Sequence, residues 1–144
     1  MTTNGTGRLP LLAILVCERM MFDDDMVPSL FRVVDEFRLE VIGAQPVVSE
    51  QVGVLVSCVV FTKWGPGEGQ FTQEITIVLP DGRELRGGEP MEFTQEAGFH
   101  FHQTRHQVRF TARTEGVHFF RLYLNGQVVG EHPFRVAIIT PETS

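Results

Sequence analysis

Lysine is nearly missing from this chain. Of twelve cationic side chains, one is Lys63 and eleven are arginines scattered along the sequence, and the net charge over 144 residues is −6. Affinity for a phosphate backbone comes mainly from clustered Lys and Arg that displace counterions. The chain has no basic run, so the sequence predicts no nucleic-acid partner. Cysteine is equally scarce. Cys17 and Cys58 lie inside apolar runs, and a chain of this size needs no disulfide framework. Two buried free thiols are therefore expected, rather than a bridge between sheets.

Long apolar runs are missing too. LPLLAILVC, residues 9 to 17, follows Arg8, but a spanning helix needs about 20 apolar residues. ERMMFDDD follows it where a secretory signal needs a small-residue cleavage site, and Val16 stands where a lipoprotein signal wants a small residue. The segment reads as a buried strand of a cytoplasmic protein with no membrane partner. One Trp and one Tyr offer few stacking platforms for a carbohydrate-binding sandwich. There is no Gly-x-Ser-x-Gly elbow, and no glycine-rich loop that precedes a helix. Neither cysteine has an electropositive setting. These gaps predict that the chain is not an enzyme and takes no cofactor.

Alternation of apolar and polar residues is abundant, together with Val, Ile, Phe and Thr. Apolar residues make up 42% and charged residues 21%, enough for one core. The expected organisation is a single domain over 9–140, with polar tails at 1–8 and 141–144. FDDDMVPS reads as a turn and LFRVVDEFRLEV as one half-buried strand, broken by GAQPVVSEQ. VGVLVSCVVF is apolar on both parities, as a central strand covered on both faces is. WGPGEGQ is a loop, QEITIVLP a strand, Asp81-Gly82 a tight turn into RELRG, and MEF a short strand after GGEP. VRFTA, VHFFRLYL and QVVGEHPFRVAII close the chain, with Asn125-Gly126 as a hairpin turn. Seven to nine strands without helices imply an all-β, two-sheet β-sandwich of immunoglobulin-like or related topology, ahead of an open barrel. The preference for Arg over Lys, and for Gly and Val, suggests a GC-rich bacterial genome.

GFHFHQTRH, residues 98 to 106, holds three of the five histidines. Imidazoles at i and i+2 of a strand share a side, and three of them can hold zinc in an open site. Against this, Phe99 and Phe101 are odd while Val108, Phe110 and Ala112 are even, which predicts a break between 102 and 107 and histidines that face solvent or a partner. Gln103, Thr104 and Arg105 also stand where a cupin places its glutamate. No metal is favoured, and His100, His102 and His106 are the candidates if one binds. His118 shares parity with Phe120, Leu122 and Leu124, as a rim histidine bonded to a carbonyl would. Asp23, Asp24 and Asp25 suit a polar hairpin turn better than a calcium loop, whose acidic ligands are spaced.

Three stretches, LLAILVCERMMFDDD…SLFRVVDEF, ITIVLPDGREL and EGVHFFRLYLNGQVVGEHPFRV, resemble a family of small stand-alone bacterial β-sandwich proteins of unknown function. The resemblance rests on turn and core positions over most of the chain. It implies architecture and no activity, and His118 departs from it where an aromatic such as Tyr is commoner.

The expected function is a non-enzymatic protein-interaction or oligomerising module, engaging a protein partner or another copy of itself. Trp64, Phe119 and Tyr123 are its candidate surface: Phe119 and Tyr123 lie opposite the core parity of their strand, and Trp64 is either an exposed aromatic anchor or the end of a core strand. The alternative is a metal-dependent enzyme or metal sensor built on His100, His102 and His106.

Overall fold

Period-2 patterning produces strands, and two sheets bury one another's apolar faces. A computed structural model describes residues 9–40 and 53–139. The expected break at GAQPVVSEQ lies outside the described residues. The strands are β1 (Leu11–Phe22), β2 (Pro28–Val33), β3 (Glu36–Glu40), β4 (Val54–Trp64), β5 (Gly69–Val78), β6 (Glu84–Arg86), β7 (Met91–Gln95), β8 (His102–Ala112), β9 (Gly116–Leu124) and β10 (Gln127–Ile139). One sheet runs β2-β1-β4-β8. The other runs β3-β10-β9-β5-β6, and β7 also pairs with β5. In immunoglobulin lettering, β1, β4 and β8 stand where A, B and E do, and β5, β9 and β10 where C, F and G do. β3 runs parallel to β10. The chain is an all-β sandwich, as its patterning predicts.

Even-numbered residues of β4, β8 and β9 point inward. Val56, Cys58 and Val60 meet Val108, Phe110, Ala112, Ile75, Ile77, Phe120, Leu122 and Leu124 in the main core. Phe120 and Phe134 stack with ring centroids 4.2 Å apart. β4 is central and covered on both faces, because a second cluster of Cys17, Met20, Val59 and Phe61 lies on the outside of its sheet. The cover comes from the far half of the β1–β2 hairpin. β1 pairs with β4 only as far as Cys17, then continues with β2 alone to Phe22. The ladder is distorted at Glu18 and Arg32, where Arg32 takes φ 55°, a strained value for a residue with a side chain. Beyond that bend Met20, Phe22 and Leu30 face the outside of the sheet.

Asp23 closes the hairpin: its carboxylate accepts from the amides of Asp25 (2.8 Å) and Val27 (2.9 Å). Asn125 and Gly126 close the β9–β10 hairpin, both at positive φ, as a tight primed turn requires. LFRVVDEFRLEV is not one strand. It splits at Val34-Asp35 into β2 and β3, which belong to different sheets. The Val34 amide still donates to Val16, while the Asp35 carbonyl accepts from Arg135 of the other sheet.

Candidate functional site

The histidines do not converge. β8 is continuous from His102 to Ala112, so His102, Thr104 and His106 share the inward parity of Val108. The break that the parity of Phe99 and Phe101 suggests falls before residue 102. Both phenylalanines sit in the preceding loop, Phe99 80% exposed. The expectation that the histidines face solvent is corrected accordingly. His100 is exposed, His102 stacks on Phe93 at 4.0 Å between ring centroids, and His106 is buried between the sheets with 2% of its surface accessible. Among the described residues no three His, Cys, Asp or Glu side chains are placed to hold a metal ion.

His106 belongs instead to a buried polar knot. Gln73 on β5 is its hub: Gln73 Oε1 accepts from Thr62 Oγ1 (2.9 Å) and from Trp64 Nε1 (2.9 Å). Gln73 Nε2 donates to His106 Nδ1 (2.8 Å) and Thr104 Oγ1 (3.2 Å). An imidazole that accepts at Nδ1 must carry its proton on Nε2, and Nε2 lies 2.9 Å from the carbonyl oxygen of Glu89. Burial pushes the His106 pKa down, so the ring is held neutral in this role. Trp64 is therefore no surface anchor. It is fully buried at the end of β4 because its indole N–H is consumed by Gln73, which corrects its place in the candidate surface. His118, also fully buried, donates from Nδ1 to the Gly116 carbonyl (3.0 Å), and its Nε2 has no partner.

Through Glu89, the knot fixes the link between β6 and β7. Gly87 donates to Ile75 (2.9 Å) in one sheet and accepts from Arg109 (3.0 Å) in the other, so a single residue staples the two sheets at the β8 edge. Only glycines fit there. A Cβ on Gly87 would lie 2.8 Å from the Ile75 oxygen, and one on Gly88 2.6 Å from the Gln107 oxygen. Beside this link opens a cleft of about 680 Å³, whose lining includes Arg86, Gly88, Glu89, Arg105, His106 and Arg109. On the far side of Gly87 a second cleft of about 210 Å³ is lined by Leu79, Arg83, Leu85, Thr111, Arg113 and Thr114. Arginines dispersed in the sequence are thus gathered along one seam.

The opposite edge of the same sheet has another character. Leu12, Leu15, Met21, Met26, Val27, Phe31 and Val33 make up half of the fourteen large apolar side chains exposed among the described residues. All seven lie within the β1–β2 hairpin. The Arg19 guanidinium sits 4.8 Å from the centroid of the Phe31 ring. Phe119 and Tyr123 do point outward from the six-stranded sheet, half-buried. Tyr123 there donates its hydroxyl to Glu84, which also accepts from Thr76 (2.6 Å) and lies 3.3 Å from Arg121. That face carries a polar lattice beside the exposed Val117 and Val128. Cys17 and Cys58 are free and buried in clusters on opposite faces of one sheet; burial pushes the Cys58 thiol up to about 12, so neither presents a ready nucleophile.

No protein-family model and no curated protein matches the chain. Among solved structures it is similar to Pseudomonas fluorescens alkylpurine DNA glycosylase AlkC, bound to DNA containing an abasic site analog. The identity is 10% and the TM-score 0.41, over 86% of this chain and 30% of that one. That neighbour is an enzyme on DNA, so the expectations of a chain that is no enzyme and has no nucleic-acid partner are withdrawn. A likeness of this size assigns neither an activity nor a ligand to this chain. Among the described residues there is no helix long and apolar enough to cross a membrane; the apolar stretch near the N-terminus is strand β1.

Proposed function

We propose that the domain is a self-associating protein-interaction module whose docking surface is the outer side of the β1–β2 hairpin. The observation that carries this reading is the concentration of exposed apolar side chains there, with Met21, Phe31 and Val33 beside Met26 and Val27 at the tip. An apolar patch of this kind is complementary to itself without charge matching, which suits an isologous pair. Pro28 and the distorted backbone at Arg32 blunt β2 as an edge for strand addition. Side-chain packing is then the mode of contact. Two buried free thiols fit a reducing, cytoplasmic setting.

Native mass spectrometry at low micromolar concentration tests the reading. The expected result is a defined oligomer that a Met21→Glu/Phe31→Glu variant converts to monomer. A wild-type monomer, or an oligomer indifferent to both substitutions, would contradict it.

A further inference from the structure

We infer that the seam between β6 and β8 is a binding groove for the phosphate backbone of a nucleic-acid strand. Five of the eleven arginines line its two clefts: Arg86, Arg105 and Arg109 on one side of Gly87, and Arg83 and Arg113 on the other. Arg83 is held by Asp81 at 2.7 Å, and Arg86 lies 3.8 Å from Glu89. Arg105, Arg109 and Arg113 form no ion pair with a described carboxylate. In a chain of net charge −6, five guanidinium groups facing two carboxylates make a local field of opposite sign.

Spacing points to an extended ligand. Arg105, Arg109 and Arg113 share one parity, and four residues of strand rise about 13 Å, so the three span about 26 Å. That is more than one small anion can touch. A nucleic acid carries a charge at every residue whatever its sequence, and arginine forks match phosphate oxygens in pairs. Thr111 and Thr114 add hydroxyl donors along the same line.

An acidic peptide is the competing occupant, and the edge argues against it. Extended peptides dock on sandwiches mainly by adding a strand to an open edge. Here Gly87 takes the Arg109 amide, and Gly88 lies against the Gln107 carbonyl. Arg105 gives one N–H to the Met20 carbonyl (3.2 Å) and keeps its other donors, while the β8 backbone is blocked at its middle. None of the residues lining the two clefts is a Phe, Tyr or Trp, so base stacking is not part of the mode. Binding is therefore independent of sequence and strongly salt-dependent.

Fluorescence anisotropy with a labelled 20-nucleotide single strand, the matching duplex and a poly-glutamate of equal charge tests this, from about 20 to 200 mM salt. Binding of at least one DNA is expected, with a slope of log K against log salt between about −2 and −4. The slope should shrink by about one for each of Arg105→Gln, Arg109→Gln and Arg113→Gln. A control triple, Arg32→Gln, Arg38→Gln and Arg135→Gln, alters net charge as much as the seam triple but away from the seam and should leave the slope in place. Thermal melting confirms that each variant folds. No binding of either DNA at 20 mM salt would overturn the inference. So would poly-glutamate binding as tightly as DNA, or a seam triple variant that binds DNA like the control.

Discussion

β2 and β8 are the two edges of one four-stranded sheet, and they are finished in opposite ways. At β8 the backbone is capped by the Gly87-Gly88 link while charged side chains stand outside it. At β2 the backbone is interrupted by Pro28 and by the bend at Arg32, and apolar side chains are left in solvent. Both devices stop uncontrolled strand addition, yet they leave surfaces of different chemistry. What covers an edge also decides what kind of partner the edge can meet.

The cap on β8 depends on the polar knot beneath it, so the largest effect is expected at the hub. Gln73→Leu would strand the indole N–H of Trp64 and Nδ1 of His106 in a buried site. It would also release the ring that holds the Glu89 carbonyl. Losing such partners inside a core should lower stability by about 2–4 kcal/mol, readable as a reduced urea midpoint. His106→Ala should cost about 2 kcal/mol by the same reasoning, whereas His100→Ala, exposed in its loop, should change stability by less than about 0.5 kcal/mol. A metal centre would make the two behave alike, and a chelator shift the melting of the wild type.

Next comes the link itself. Gly88→Ala drives a Cβ into backbone rather than into a flexible side chain, and an overpacked contact of this kind costs about 1–3 kcal/mol. Hydrogen exchange of the Arg109 amide should rise with it, while the β1–β2 hairpin is unaffected.

Acidity should act on the covered histidines, His102 and His106 of β8 and His118 of β9. Burial holds the His102, His106 and His118 pKa values below the ordinary imidazole value, about 6.5. The unfolded chain then binds more protons than the folded one as pH falls through that value. Stability is full above it and declines progressively below it. Denaturant titrations at pH 7.5 and 5.5 should show the drop, and His106→Gln should reduce it. The smallest effect on stability is expected at β2. Met21→Glu and Phe31→Glu alter exposed positions and should move the urea midpoint by the equivalent of about 0.5 kcal/mol or less each, apart from the modest loss of the Arg19 contact on Phe31.

Much of this architecture is legible in the sequence wherever local chemistry and packing agree. Asn125-Gly126 dictates its hairpin, and the double apolar parity of β4 announces a strand covered twice. Val34-Asp35 is different, because an unbroken alternation runs through a point where the chain changes sheets, and the cause is a bond to Arg135, a hundred residues away. The histidine face is not legible for a related reason: Phe99 and Phe101 carry strand-like alternation inside a loop, and their parity opposes that of β8. The arginine seam is invisible in one dimension. Its members come from residues 83–86 and 105–113, and only the fold of Gly87 against Arg109 brings the two stretches together. Glycine pairs such as Gly87-Gly88 are the available signal, since adjacent glycines ahead of a short strand mark close backbone approach.

Hydrogen exchange read by mass spectrometry, at about 1 and 100 μM protein, tests most directly the claim that the β2 edge is the docking surface. Concentration should slow exchange in the hairpin from Glu18 to Val33 and leave the segments 84–91 and 102–113 unchanged. Protection that grows instead at the seam, or nowhere, would contradict it.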